Sequence, residues 1–406
     1  MNVLFLTLSN IENIEEGGIY TDLIRELRDN GITVYVASPR ERRYGEPTEL
    51  INNDSVNILK VKTGNITKTK SYIEKGISTV MIEYQFLRAI KKYFGDIKFD
   101  LVMYSTPPIS FVRIIKYLKD KNHCKTYLIL KDIFPQNAVD IGVLKEHGLI
   151  WRYFRRKETN LYKVSDYIGC MSYGNVEYIK NNNKLDGKQI EIFPNAIKPV
   201  RIQEPSIKNC DILIKYGIPK GKVIFIYGGN LGKPQGISFI LSVIDNFYRV
   251  DNGFLLIVGS GTEYYNINKH INETDPKNVK LIEWMPKNEY NEILKCSDVG
   301  LIFLDHRFTI PNIPSRLLSY YEYSKPILAA TDPNTDLKEI IAESQSGFWC
   351  ESDDIEKFIE YANKMSNNQK MIQQLGENGR RYLEENFNIE KTIKILINHL
   401  MEGNNV

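Results

Sequence analysis

The chain lacks most of the residue patterns that would mark a metal, redox or membrane-spanning protein. Its five cysteines, Cys124, Cys170, Cys210, Cys296 and Cys350, stand singly, with no Cys-x-x-Cys pair. That scatter predicts separate thiols in a reducing cytoplasm, not a disulfide framework or a thiolate metal site. The five histidines show no His-Glu-x-x-His spacing and no Asp-x-Asp occurs, so no bound metal is expected. The longest apolar runs, such as Val223–Tyr227 and Phe254–Val258, have the length of a strand and fall far short of the roughly 20 residues of a membrane span. The opening MNVLFLTLSN has no basic leader and reads as a first strand rather than a signal peptide. Neither a Gly-x-Gly-x-x-Gly fingerprint nor a Walker A loop is present, which argues against a nicotinamide, flavin or P-loop site.

What remains is an ordinary globular composition, 42% apolar and 25% charged, over 406 residues, enough for two domains. The net charge of +3 is unevenly spread: residues 1–200 hold 30 Lys and Arg against 23 Asp and Glu, and the remainder 23 against 27. Such a difference between halves predicts different partners for each. The basic half also mixes cations with aromatics, at Lys68–Lys75, Arg88–Phe94 and Trp151–Lys157. Such stretches suit an anionic membrane surface or a single-stranded nucleic acid, and equally the solvated faces of helices.

Apolar runs alternate with amphipathic stretches twice along the chain. Val3–Thr7, Thr33–Ala37, Leu101–Tyr104, Thr126–Leu130, Tyr167–Met171 and Ile190–Phe193 predict strands, with a helix at Thr21–Asn30 and another around Phe111–Leu118. After a Pro-containing lapse near Ile197–Pro205 the pattern restarts. The second series of strands is Lys222–Tyr227, Phe254–Val258, Val279–Ile282, Val299–Leu304 and Pro326–Ala330, with helices near Ile237–Val250, Tyr290–Cys296 and Leu317. The tail from Ile355 to Leu400 is helical with a bend near Asn386–Asn388. Alternation of this kind predicts α/β structure, as two Rossmann-like, doubly wound parallel-sheet domains facing across a cleft.

Several loops carry candidate chemistry. Gly17-Gly18, between the first strand and first helix, offers close backbone approach and amide donors to an anion, or simply a turn. The run Gly228-Gly229-Asn230-Leu231-Gly232-Lys233-Pro234-Gln235-Gly236 combines flexible backbone, a cation and an amide, the combination a diphosphate needs. Gly259-Ser260-Gly261 repeats the strand-then-glycine device. Trp284 and Met285 end another strand and suit either the wall of a flat base or core packing. Asp132, just past the Thr126–Leu130 strand, suits a general base or an acceptor-orienting group, with a helix or turn cap as the alternative. Pro314-Ser315 reads as a helix start whose N–H groups face a phosphate, the alternative being a plain strand-to-helix loop.

Together these features resemble the GT-B retaining glycosyltransferases, the family 4-like group that includes sucrose, glycogen and lipopolysaccharide glycosyltransferases. The resemblance runs over nearly the whole chain. It rests on Gly17-Gly18, Pro194-Asn195-Ala196-Ile197, the 228–236 loop, Gly259-Ser260-Gly261, the Pro314–Pro326 block and Asn386-Phe387. Asp132-Ile133-Phe134-Pro135 and Pro314-Ser315-Arg316-Leu317-Leu318-Ser319-Tyr320 further resemble the branch of O-antigen and capsule N-acetylfucosamine transferases. The family's paired glutamates would fall at Pro311 and Ser319, so neither is present, and its loop cations align with Asn230 and Gln235.

The resemblance implies an N-terminal acceptor domain over 1–198, onto which a C-terminal helix near 387–402 packs back, and a nucleotide-sugar domain over 206–385. It implies a retaining, metal-independent transferase moving a sugar, a hexosamine on a UDP carrier, to a polyprenyl-diphosphate-linked or other glycan acceptor in cell-surface polysaccharide synthesis. The nucleotide sugar is a substrate, no cofactor is expected, and nucleic acid is not an expected partner. The expected location is cytoplasmic, peripheral on an anionic inner membrane face. By resemblance Asp132, Lys233 and Arg316 are the catalytic candidates. Gly17, Gly18, Gly229, Asn230, Gly232, Gly259, Trp284, Met285, Pro314 and Ser315 are donor-binding candidates, with Ser319 or Glu322 on the ribose. A GT-B sugar-nucleotide epimerase and an inactive nucleotide-sugar-binding subunit are the alternatives.

Overall fold

A computed structural model describes residues 1–53, 55–66, 72–200 and 210–402, without the side chains of 72–77 and 402. The Lys68–Lys75 stretch therefore lies outside the described side chains, as does most of the Pro-containing lapse. The chain divides into two compact units, Met1–Lys198 together with the stretch from Ile389 on, and Pro199–Asn388.

The first unit holds β1 (Asn2–Leu6), α1 (Ile19–Asp29), β2 (Thr33–Glu41), β3 (Glu49–Asn53), β4 (Val56–Thr63), α2 (Tyr72–Tyr93), β5 (Leu101–Ser105) and α3 (Val112–Asn122). It continues with β6 (Lys125–Leu130), α4 (Gln136–Asp140), α5 (Leu149–Val164), β7 (Tyr167–Cys170), α6 (Tyr173–Asn182) and β8 (Gln189–Ile192). The sheet order is β3-β4-β2-β1-β5-β6-β7-β8, parallel except where β3 runs antiparallel to β4. Strands β1 and β5 are buried nearly throughout because helices cover both faces of a parallel sheet. The hairpin of β3 and β4, absent from the sequence reading, interleaves polar and apolar residues and so shows no continuous apolar run.

The second unit holds α7 (Asp211–Lys215), β9 (Val223–Gly228), α8 (Ile237–Asn246), β10 (Gly253–Val258), α9 (Tyr264–Thr274), β11 (Val279–Ile282), α10 (Lys287–Cys296) and β12 (Val299–Phe303). Then come α11 (Arg316–Glu322), β13 (Ile327–Thr331), α12 (Leu337–Ser344), β14 (Gly347–Glu351), α13 (Ile355–Ser366) and α14 (Gln369–Asn386); α15 (Ile389–Glu402) returns to the first unit. The sheet order β11-β10-β9-β12-β13-β14 is parallel throughout its pairings. Its core packs Phe225, Tyr227, Phe239, Phe247, Phe303 and Phe358, from the sheet, α8 with the turn after it, and α13. Strand order reverses between β1 and β5 in one unit and between β9 and β12 in the other. Loops at such reversals diverge and open a crevice at the carboxyl edge.

The expectation of five separate thiols is corrected. Cys210, just before α7, and Cys296, the last residue of α10, form a disulfide with Cα atoms 5.9 Å apart. They are 86 residues apart in sequence, and only the packing of α7 on α10 brings them together. Cys124, Cys170 and Cys350 are free and buried, and burial pushes their thiols up to about 11, 12 and 12.

Candidate functional site

In the second unit the two loops of the strand reversal meet. The Asp305 amide donates to the Pro234 carbonyl at 3.0 Å, joining the loop after β12 to the glycine loop after β9. Gly229 has φ +142°, and a Cβ there would stand 3.1 Å from an Arg316 guanidinium nitrogen. A Cβ on Gly259 would stand 2.0 Å from the Gly229 carbonyl oxygen, so the third loop also presses against the first. Glycine is needed at these two positions for close approach of backbone to backbone and to a cation.

Arg316 is the centre of this edge. Its guanidinium carbon lies 4.2 Å from the centroid of the Tyr227 ring, a cation–π contact. The neutral phenols of Tyr227, Tyr320 and Tyr290 stand around it, and no carboxylate pairs with it among the described residues. Its Nη1 is buried and has no hydrogen-bond partner among the described residues. A buried donor left unpaired costs about 1–3 kcal/mol, more for a charged group. The phenols are held by the backbone: the Tyr320 hydroxyl accepts from the Gly228 amide at 3.2 Å and lies 3.1 Å from the Ile226 and Leu301 carbonyls. Burial pushes Tyr290 up to about 12, so its hydroxyl keeps its proton at neutral pH. Gly300 makes room for this frame, since a Cβ there would stand 2.4 Å from the Tyr320 ring.

The other expected donor-side residues fall around it unequally. Lys233 opens a single 3-10 turn, Lys233–Gln235, and its side chain is exposed. Asn230 and Gln235, where the family's cations align, bond to each other at 3.4 Å, and Gln235 also accepts from the Gly232 amide at 3.0 Å. Met285 is buried, whereas Trp284 is 70% exposed, so the tryptophan is not core.

The expected helix start at Pro314-Ser315 is present, and the expectation of a free Gly18 amide is corrected. Helix α11 has seven residues and Ser315 makes no side-chain cap, so Pro314-Ser315 opens only two turns and the charge at this edge is the Arg316 side chain. Glu322, the other expected ribose partner, accepts from the Val200 amide at 3.1 Å through one carboxylate oxygen, and Ser319 is half-buried one turn past Arg316. In the first unit the Gly18 amide donates to Asp22 Oδ1 at 3.1 Å and is not free for an anion. Asp22 Oδ2 also accepts from the Lys198 amide at 2.7 Å, and Arg25 pairs with the same carboxylate.

Asp132 sits at the carboxyl edge of the first sheet, immediately after β6. Thr106 Oγ1, from the loop after β5, accepts from the Lys131 and Asp132 amides at 2.9 and 3.2 Å and fixes the turn. Asn137 donates to Asp132 Oδ1 at 2.6 Å, and Asp132 caps no helix, since α4 lacks a side-chain cap. Burial pushes the Asp132 carboxyl up to about 6, against the opposing pull of Asn137 and the Ile133 amide. Lys131 was missed in the sequence. Its ammonium contacts Asn195 Oδ1, lies 4.2 Å from the Tyr20 ring centroid, and is pushed down to about 7 by burial. The available signal was a lysine ending an otherwise apolar strand beside a carboxylate.

Two doubly wound parallel-sheet units of this kind form the GT-B fold. Residues 211–382, within the second unit, match the model of the family Glycosyl transferases group 1. Over 276 residues the chain is 26% identical to the probable glycosyltransferase WbjE of Pseudomonas aeruginosa, covering 66% of each protein. It is 21% identical over 154 residues to the putative colanic acid biosynthesis glycosyl transferase WcaI of Escherichia coli K12, covering 38% of each. The chain thus spans just under two thirds of the first relative and less of the second. Its fold is shared with HepE of Anabaena, solved in complex with UDP-glucose, at a TM-score of 0.68 and 11% identity over 99% of this chain and all of that one.

Proposed function

We propose that the protein is a retaining glycosyltransferase that moves a hexosamine from a UDP-linked donor to a lipid-linked glycan acceptor in polysaccharide assembly. The observation that carries the reading is the Arg316 guanidinium, held on Tyr227 at the strand reversal with a buried, unpartnered Nη1 beside Gly229. A cation desolvated without a carboxylate suits a ligand that brings its own negative charge. Arg316 binds the donor diphosphate, and exposed Lys233 adds charge as the leaving group departs. Ser319 contacts the ribose. Asp132, ionised above about pH 6, orients and deprotonates the acceptor hydroxyl. The group 1 match, the glycosyltransferase relatives and the UDP-glucose complex of HepE support the class and the donor type.

Because the two cations carry the leaving-group charge, turnover is expected to persist in a chelator. The direct test is calorimetric titration with UDP, GDP and UDP-sugars. UDP binding by the native chain, weakened at least about tenfold in Arg316→Lys, is the expected outcome, since lysine cannot reproduce the planar fork. Equal binding by the variant would remove Arg316 from the donor site.

A further inference from the structure

One segment of the first unit exposes large apolar side chains that its fold does not need. Helix α5 buries Leu161 and Tyr162 and packs Phe154 against Phe134, ring centroids 4.9 Å apart. Its first turns point elsewhere: Leu149 is 85% exposed, Ile150 62% and Tyr153 46%, and Val143 in the preceding loop is 56% exposed. Scattered exposed apolar residues are common, but Leu149, Ile150 and Tyr153 share the first turns of α5, with Leu149 and Tyr153 one turn apart, and clustered exposed apolar residues mark interaction surfaces. Exposed Arg152 and Arg156 interleave with them, and across 143–157 five Lys and Arg stand against the single acid Glu146. Leucine and isoleucine favour hydrocarbon over a nucleic acid, while the arginines match phosphate.

We propose that this tip of α5 is a membrane-docking wedge. Leu149, Ile150, Tyr153 and Val143 enter the headgroup layer of an anionic bilayer, and Arg152 and Arg156 bind lipid phosphates. The wedge lies one ring contact from the acceptor edge, because Phe134 is two residues from Asp132. It thereby sets a lipid-linked acceptor beside Asp132, a step that rests on the transferase reading above, whereas the docking itself does not.

The test is co-sedimentation of the full chain with vesicles of phosphatidylcholine alone or mixed with phosphatidylglycerol. Three proteins are compared: wild type, Leu149→Ser with Ile150→Ser, and Arg152→Gln with Arg156→Gln. Wild type is expected to partition at least about tenfold better onto the anionic vesicles, with salt reversing the gain. The serine pair loses about tenfold or more of that partition, and the glutamine pair about fivefold per charge removed. Turnover on a soluble acceptor analogue and the thermal midpoint stay at the wild-type level, because all four positions lie on the surface. No anionic preference, or unchanged partition in both variants, overturns the wedge. So does tighter binding to a single-stranded oligonucleotide than to the anionic vesicles. No turnover by the wild type on any acceptor, with vesicle binding intact, would count against the transferase reading and leave the wedge standing.

Discussion

Asp132 and Lys131 show how one residue position changes chemistry through burial. A carboxyl near 6 and an amine near 7 stand in consecutive positions, each moved toward neutrality by desolvation. The sign for activity follows directly. Asp132 acts as a base only when ionised, so acceptor-dependent kcat/KM is expected to fall as pH drops through about 6. Asp132→Asn is expected to lower turnover by about 10²–10⁴-fold and to abolish that acidic limb. A pH profile with the limb intact in the variant would assign it to another group. Asp132 was legible in the sequence because a lone carboxylate after an apolar strand falls at a sheet edge. Lys131 was not, since its importance lies in Tyr20 and Asn195, which come from distant parts of the chain. Arg316 was legible as a cation, but its ring frame of Tyr227, Tyr290 and Tyr320 needed the fold.

At the scale of elements, the apolar runs of β1, β5, β9, β10 and β12 announce strands buried on both faces, which is why their positions could be read within a residue or two. Strand β4 interleaves Lys60 and Lys62 with apolar residues and stayed hidden, as did its antiparallel partner β3. The disulfide was equally out of reach, because cysteine spacing says nothing of which helices pack. The glycine loops supply a paired test. Gly259→Ala places a Cβ 2.0 Å from backbone and is expected to cost about 1–3 kcal/mol, read as a lower urea midpoint. Gly17→Ala meets nothing within 4 Å, and its effect should stay within about 0.5 kcal/mol. A neutral Gly259→Ala would show that the loops have slack and that their close approach does not set the Arg316 position.

For the whole molecule, two sheets with reversed strand order each offer a carboxyl-edge crevice, and the chain places different chemistry at each. The second unit brings cations and glycines suited to a diphosphate. The first, richer in basic residues, brings the half-buried carboxylate of Asp132 and the exposed tip of α5. Under the proposed function, Pro311 and Ser319 in place of the glutamates that the resemblance implies leave donor binding dependent on Arg316 and Lys233. The central claim is transfer itself, and its most direct measurement is UDP release from UDP-N-acetylhexosamines, with and without a polyprenyl-diphosphate glycan. Release that depends on the acceptor, yields an elongated glycan and falls about 10²–10³-fold in Lys233→Ala is the expected result. No acceptor-dependent release across donor sugars and acceptors would contradict it.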